Sequence, residues 1–284
     1  MAFDLEFSMK PKKIALIIVP ILVFVFICFT ACGKEERNFG VFLGADEINV
    51  SVMSKYKLVV IDAEIIPKSQ IAELQDKGTL VYSYLNVGTV ETFRDYYNYF
   101  LDLGLLMDIY EDWPDERFVD VSDERWQNYV VDTLAAGLAQ KNVDGLFLDN
   151  FDVYYYYDEQ PEFLNGLIII LQGLKENYHL PIMINGGDVA VTEILETNPE
   201  LIDSVNQECV FTGIDFEKVK FTIQDAETSE YYQDYLAACK SKGLDIYILE
   251  YGKKVPKRTI KDYCEQNGYN YYVSKDLDLT RAQY

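Results

Sequence analysis

Short apolar runs recur along the chain, each followed by an amphipathic or polar stretch, and that alternation predicts βα units feeding a parallel sheet. Eight runs read as strands: Gly40 to Leu43, Leu58 to Asp62, Leu80 to Leu85, Gly145 to Asp149, Ile182 to Asn185, Ser204 to Gln207, Ile246 to Glu250 and Tyr271 to Val273. Their nearly continuous apolar character is that of strands covered on both faces, unlike the strict alternation of a half-exposed sheet. Between them, Ser69 to Lys77 reads as a helix stopped by Gly78, Ser122 to Lys141 as one opened by a Ser-Asp-Glu cap, and Glu230 to Lys242 as one stopped by Gly243. No Gly-rich phosphate fingerprint follows the first strand, so the expected fold is a single (β/α)8 barrel over residues 39–284 and not an open dinucleotide-binding sheet. Asp108 to Val121, rich in Trp, Pro, Asp and Glu, reads as a long loop at the barrel rim.

The N-terminal stretch follows a different pattern. Lys10, Lys12 and Lys13 precede an uncharged apolar run from Ile14 to Phe29, then the small residues Thr30 and Ala31, then Cys32-Gly33 and a polar segment. A basic region, an apolar region and a small-residue cleavage site predict a signal peptide over residues 1–31. Phe29-Thr30-Ala31-Cys32 resembles a bacterial lipobox, which implies lipid attachment at Cys32, a short linker over residues 32–38, and a catalytic part held on the extracellular face of the cell membrane. Asp4 and Glu6 do not belong in a basic region, so translation from Met9 is an alternative start. An uncleaved anchor helix is the competing reading, for which the apolar run is short, since a span needs about 20 residues.

Charge then narrows the partners. The formal net charge is −22, which repels nucleic-acid phosphates and draws cationic ligands toward any acidic cleft. Of five cysteines, Cys28 and Cys32 lie in the leader; Cys209, Cys239 and Cys264 are an odd set, read as small apolar core residues, with one bridged pair as the alternative. The chain is expected to act as a monomer without a cofactor.

In (β/α)8 barrels chemistry gathers at the C-terminal ends of the strands, and acids and amides cluster there. Asp62 closes strand two, Asn86 to Glu91 follow strand three, and Asp149-Asn150-Phe151-Asp152 closes strand four. Asn185-Gly186-Gly187, Gln207-Glu208 and Glu250-Tyr251-Gly252 close strands five, six and seven. Any single acid of this kind also serves as a helix cap, but six strands ending in polar residues together read otherwise, since carboxylates converging on one mouth repel one another unless a cation or a reaction is served. With Tyr84, Tyr154 to Tyr157 and Tyr251 nearby, the pattern is the two-carboxylate layout of glycoside hydrolysis, with tyrosine rings for sugar faces or for packing. The only histidine, His179, precedes strand five at the opposite barrel end, which argues against a Ser-His-Asp triad or a His-ligated zinc. A calcium site on Asp149 and Asp152 is the other use of these acids.

Val81-Tyr82-Ser83-Tyr84-Leu85-Asn86-Val87-Gly88-Thr89-Val90-Glu91 with Arg94, and Val143-Asp144-Gly145-Leu146-Phe147-Leu148-Asp149-Asn150-Phe151-Asp152, resemble the endo-α-1,4-polygalactosaminidase-like glycoside hydrolases of family 114. Ile184-Asn185-Gly186-Gly187, Asn206-Gln207-Glu208 and Tyr272-Val273-Ser274-Lys275-Asp276-Leu277-Asp278 continue the likeness. The resemblance implies a (β/α)8 fold and endo-cleavage of an α-1,4-linked galactosamine polymer, with Asp149 as nucleophile and Glu208 as general acid/base. It also implies sugar subsites shaped by Asp62, Tyr84, Glu91, Arg94, Asn150, Asp152, Asn185 and Tyr251, with no metal. The chain departs from the family pattern at Thr89, where a second acid is frequent, at Gly186, where a second Asn is frequent, and in a first strand, Phe39 to Gly44, without Trp or Gln. The rival expectation is a non-catalytic polysaccharide-binding surface lipoprotein on the same barrel.

Overall fold

Strand Arg37–Phe42 (β1) runs parallel to Tyr56–Ile61 (β2), which pairs with Leu80–Asn86 (β3), and the ladder continues through Gly145–Asp149 (β4) and Ile182–Asn185 (β5). Ser204–Glu208 (β6), Asp245–Tyr251 (β7) and Asn270–Ser274 (β8) complete an eight-stranded parallel sheet in chain order. The coordinates are a computed structural model that describes residues 37–218, 220–252 and 256–280. At the seam the Phe42 ring packs edge-on against Tyr272 at 5.5 Å, which brings the last strand beside the first and nearly closes the barrel. The predicted leader and Cys32 lie outside the described residues.

Burial on both sheet faces explains the apolar runs. Val59, Val60, Phe147, Leu148, Ile184, Val205, Ile248 and Leu249 are completely buried, each side chain of this size gaining about 1.5–3 kcal/mol from leaving water. The predicted helices form at Lys68–Gln75, at Glu124–Gln140 and at Ala226–Ser241, with Asp123 capping the second through the Arg125 N–H. That second helix widens to a π-helical stretch over Val130–Ala135. Its Trp126 is fully buried and donates its indole N–H to the Val87 carbonyl at 2.9 Å, tying the helix layer to the loop after β3.

Two insertions rise from the mouth. After β3, Thr89–Glu91, Leu106–Ile109 and Glu116–Val119 form a small antiparallel sheet, so the predicted loop Asp108 to Val121 is strand at its start and over Glu116–Val119 and loop elsewhere. After β6, Thr212–Asp215 pairs with Lys220–Ile223 as a hairpin. Their tips meet where Trp113 packs edge-on against Phe216, ring centres 5.8 Å apart.

Candidate functional site

Strands β4, β5 and β6 are neighbours, so their final residues, Asp149, Asn185 and Glu208, stand side by side at the mouth. The Asn185 amide nitrogen donates to Asp149 Oδ1 and to Glu208 Oε1, both at 2.8 Å, while its Oδ1 accepts from Asn206 Nδ2 at 2.6 Å. The Asn206 bond fixes which end of the Asn185 amide faces the acids. Because both acceptors share one planar NH2 group, the two carboxyl oxygens lie about 5 Å apart. Tyr251, from the end of β7, donates its hydroxyl to the other oxygen of Glu208 at 2.6 Å.

The chain leaves each of these three strands through a left-handed residue: Asn150 (φ 63°), Gly186 (φ 62°) and Cys209 (φ 57°). For the two non-glycine residues such a conformation costs on the order of 1–3 kcal/mol, strain of the kind that collects at functional sites. Two glycines let the loops approach. A Cβ on Gly88 would sit 1.8 Å from the Asn150 carbonyl oxygen, and one on Gly187 (φ 62°) would sit 2.4 Å from Phe151 Cβ.

Burial pushes both acids upward, Asp149 well above the ordinary carboxylate range and Glu208 less far. Asp149 is raised further by the charge of Glu208, while Tyr251 and Asn185 donors hold Glu208 down. The repulsion is mutual, so the raised affinity for a proton belongs to the pair and not to one member. An ionised carboxylate and a protonated acid across one gap are the requirement of two-carboxylate catalysis.

A second layer supports the pair. Asn150 donates to Asn86 Oδ1 at 3.1 Å, Thr89 Oγ1 at 2.9 Å and Glu116 Oε2 at 3.3 Å, and the Thr89 hydroxyl also donates to Glu116. Glu116, on the rim sheet directly opposite Glu91, is pushed up to about 7 by burial and then by the Glu91 charge. Sequence reading missed it. Its carboxyl arrives from a different strand and rests on the Thr89 hydroxyl.

Asp62, Glu91 and Arg94 converge as expected, but mainly on one another. Arg94 contacts Asp62 at 2.9 Å, Glu64 at 2.8 Å and Glu91 at 3.0 Å, with Arg94, Asp62 and Glu91 all buried. Burial works against the guanidinium charge and the three carboxylates more than offset it. One cation among three acids leaves the cluster net negative.

A cavity of about 920 Å³ lies over these groups. Among the described residues nine carboxylates line it, Asp62, Glu91, Asp115, Glu116, Asp149, Asp152, Asp188, Glu208 and Asp278, against one basic side chain, Arg94. Tyr84, Asn150, Asp152, Asn185 and Tyr251 line it too, so each predicted subsite residue reaches the mouth. Several other predicted features do not. Tyr154 is buried in the core, and Tyr157 packs on Phe118 and Phe163 and donates to Asp108 at 2.9 Å, so only Tyr155 and Tyr156 of that run line the cavity. Glu250 is fully buried on the other face of β7, where it accepts from the Phe211 and Thr212 amides at 2.8 and 2.9 Å and anchors the rim hairpin. His179 is exposed, ending the helix Pro161–Tyr178 in a left-handed cap ahead of β5. Cys209, Cys239 and Cys264 are unbridged, the last two buried. Among the described residues no group of three or more His, Cys, Asp or Glu is arranged to hold a metal.

Two carboxyls bridged by one amide, at the C-terminal mouth of a parallel eight-stranded barrel, are the arrangement that glycosidases of this architecture use. The chain belongs to glycoside-hydrolase family GH114, whose model matches residues 32–284, and is a glycoside hydrolase. Its fold is similar to the glycoside hydrolase domain of PelA from Pseudomonas aeruginosa, with 20% identity, a TM-score of 0.73, and 86% of this chain and 96% of that chain covered. Ega3 from Aspergillus fumigatus, solved in complex with galactosamine, aligns with 19% identity and a TM-score of 0.66 over 86% of this chain and 92% of that one. The α-galactosidase TtGalA from Thermus thermophilus aligns more loosely, with 9% identity and a TM-score of 0.55 over 88% of this chain and 59% of that one. No curated protein matches the chain.

Proposed function

We propose that the protein cleaves an α-1,4-linked, galactosamine-containing polysaccharide with retention of configuration, using Asp149 as nucleophile and Glu208 as general acid/base. The observation that carries this reading is the single Asn185 amide bridging both acids at 2.8 Å. The two oxygens that share the Asn185 donor, about 5 Å apart, favour retention, whereas inversion needs about 6.5 Å or more between carboxyls to seat a water. Asp149 attacks the anomeric carbon as the glycosidic C–O bond breaks, and the Glu208 proton passes to the leaving oxygen. Glu208, now ionised, takes a proton from the incoming water, whose oxygen attacks the same carbon and releases Asp149. Asn185 orients both acids and donates to each, while Tyr251 stabilises Glu208 once it ionises.

A cationic amino sugar is favoured by the nine carboxylates of the cavity, and the galactosamine bound by Ega3 is consistent with it. Release of reducing ends from a partly deacetylated galactosamine polymer by the chain from Gly33 onward tests the assignment. No release from that polymer, with turnover of a neutral hexosan, would overturn it.

The leader pattern supports a lipid anchor at Cys32 that holds the enzyme on the outer face of the bacterial membrane. Cys32→Ser is expected to abolish lipid incorporation and leave unprocessed precursor. Unchanged processing and membrane retention would contradict the anchor.

A further inference from the structure

The barrel has a floor as well as a mouth. Its strands are parallel, so the chain enters each one on the side opposite to Asp149, Asn185 and Glu208, and Arg37, the first residue of β1, lies on that side. β1, β2 and β3 are neighbours, and their entries sit together, with Arg37 paired to Tyr56 and Leu58 to Leu80. Over the described residues 37–38, 54–57 and 76–80, which make up these entries, the basic side chains are Arg37, Lys55, Lys57 and Lys77, and the one acid is Asp76. Lys55, Lys57 and Lys77 are exposed. The mouth has the opposite sign, with nine carboxylates against Arg94. A chain of net charge −22 thus carries a locally basic sector, and it is the sector where β1 begins.

Residues 33–36 are all that separates Cys32 from Arg37, so a tether from a lipid at Cys32 reaches about 18 Å when fully extended. That length lets the floor rest on headgroups. Turning the mouth toward the bilayer would require the tether to round a helix about 10 Å thick and then follow a strand length of about 20 Å, which it is too short to do. Charge favours the same pose, because an anionic lipid surface attracts exposed Lys and Arg within about 10 Å and repels the carboxylates of the mouth.

We propose that Lys55, Lys57 and Lys77 form a docking surface for anionic lipid headgroups, which seats the barrel floor-down and turns the catalytic mouth away from the membrane. The proposal rests on the lipid anchor at Cys32. Its consequence for activity is the direction of substrate entry: polymer arrives from the medium, and glycan lying at the headgroups is out of reach of Asp149 and Glu208.

The test places the lipid-modified chain on phosphatidylcholine vesicles with and without phosphatidylglycerol. Energy transfer to a headgroup dye is measured from a fluorophore at Asp76→Cys on the floor or at Phe93→Cys, an exposed position of the mouth, with the unsubstituted chain labelled in the same way as baseline. Transfer is expected to be strong from position 76 and near baseline from position 93, and the position 76 signal should rise when phosphatidylglycerol is present. Lys55→Glu, Lys57→Glu and Lys77→Glu together should abolish that rise while flotation with the vesicles and turnover of a soluble aryl galactosaminide stay unchanged. High salt on the wild type should abolish it too, which keeps the test informative if the triple variant folds poorly. Equal or stronger transfer from position 93, in a chain that floats with the vesicles, overturns the orientation. A position 76 signal that ignores phosphatidylglycerol, or rises equally in the folded triple variant, overturns the docking surface. A chain that carries no lipid and does not float overturns the anchor at Cys32, and this proposal with it.

Discussion

Tyr251 donates its hydroxyl to Glu208 Oε2 at 2.6 Å, and its ring is held independently by stacking on Phe221, 5.9 Å away and 11° from parallel. Tyr251→Phe therefore removes a donor without freeing the ring. A hydrogen bond to a charged group is worth about 1.5–3 kcal/mol, so kcat should fall roughly 10- to 100-fold. The lost donor also favours the protonated form of Glu208, so the basic limb of the pH–rate profile should move to higher pH. An unchanged profile would mean that the Tyr251 hydroxyl does not act on Glu208 during turnover.

Asp149→Asn and Glu208→Gln should each lower kcat by orders of magnitude on the natural polymer. On the proposed mechanism both acids serve one reaction, so the double replacement should cost little more than the worse single one. Steady-state kinetics on the three variants check this. Strictly additive losses would contradict a shared step.

Arg94 is the cation that salt-bridges Asp62, Glu64 and Glu91. Arg94→Met should destabilise the fold by about 3–5 kcal/mol near neutral pH, the usual cost of stranding buried charges. The loss should shrink below about pH 5, where the abandoned carboxyls take up protons. Urea unfolding of both proteins at pH 5 and pH 7.5 measures the difference, and a pH-independent loss would assign it to packing.

Glu116 and Glu250 are each raised to about 7 and Asp152 to about 6, in every case with burial as the largest cause. The folded protein thus binds these protons more tightly than the unfolded chain, whose carboxyls titrate near about 4. Their stabilising contribution is complete below about pH 4 and is lost as pH rises toward about 7, at about 1.4 kcal/mol per unit of separation. Unfolding free energy of the wild type should accordingly fall between pH 5 and pH 8. A rise over that interval would contradict the buried, partly protonated carboxyls.

The acidic mouth should steer a cationic substrate. kcat/KM should drop as ionic strength rises, while kcat stays nearly constant. Salt-independent kcat/KM, measured on the deacetylated polymer, would count against steering.

The parts of this site that were legible in the sequence are those fixed by strand ends. Apolar runs bounded by Asp149, Asn185 and Glu208 locate three neighbouring strand termini, and a parallel barrel must bring such termini to one mouth. Glu250 and Tyr251 mark where that reasoning stopped short. Adjacent residues of a strand face opposite ways, so only one of the two could join the mouth, a signal present in the sequence. Glu116 left no such trace: its strand, Glu116–Val119, is four residues long without clear alternation, and its carboxyl reaches the site only through pairing with Thr89–Glu91. Gln207 was legible as a neighbour of Glu208, but its orphaned oxygen is a product of packing between strand and helix layers that periodicity does not report.

Retention through an Asp149 ester is the central claim, and acid-quenched mass spectrometry with a slow, fluorinated α-galactosaminyl fluoride tests it most directly. The account predicts one added glycosyl mass on the peptide containing Asp149, with accumulation lost in Asp149→Asn. A label on Glu208, or no adduct together with a first-formed product of inverted configuration, would contradict it.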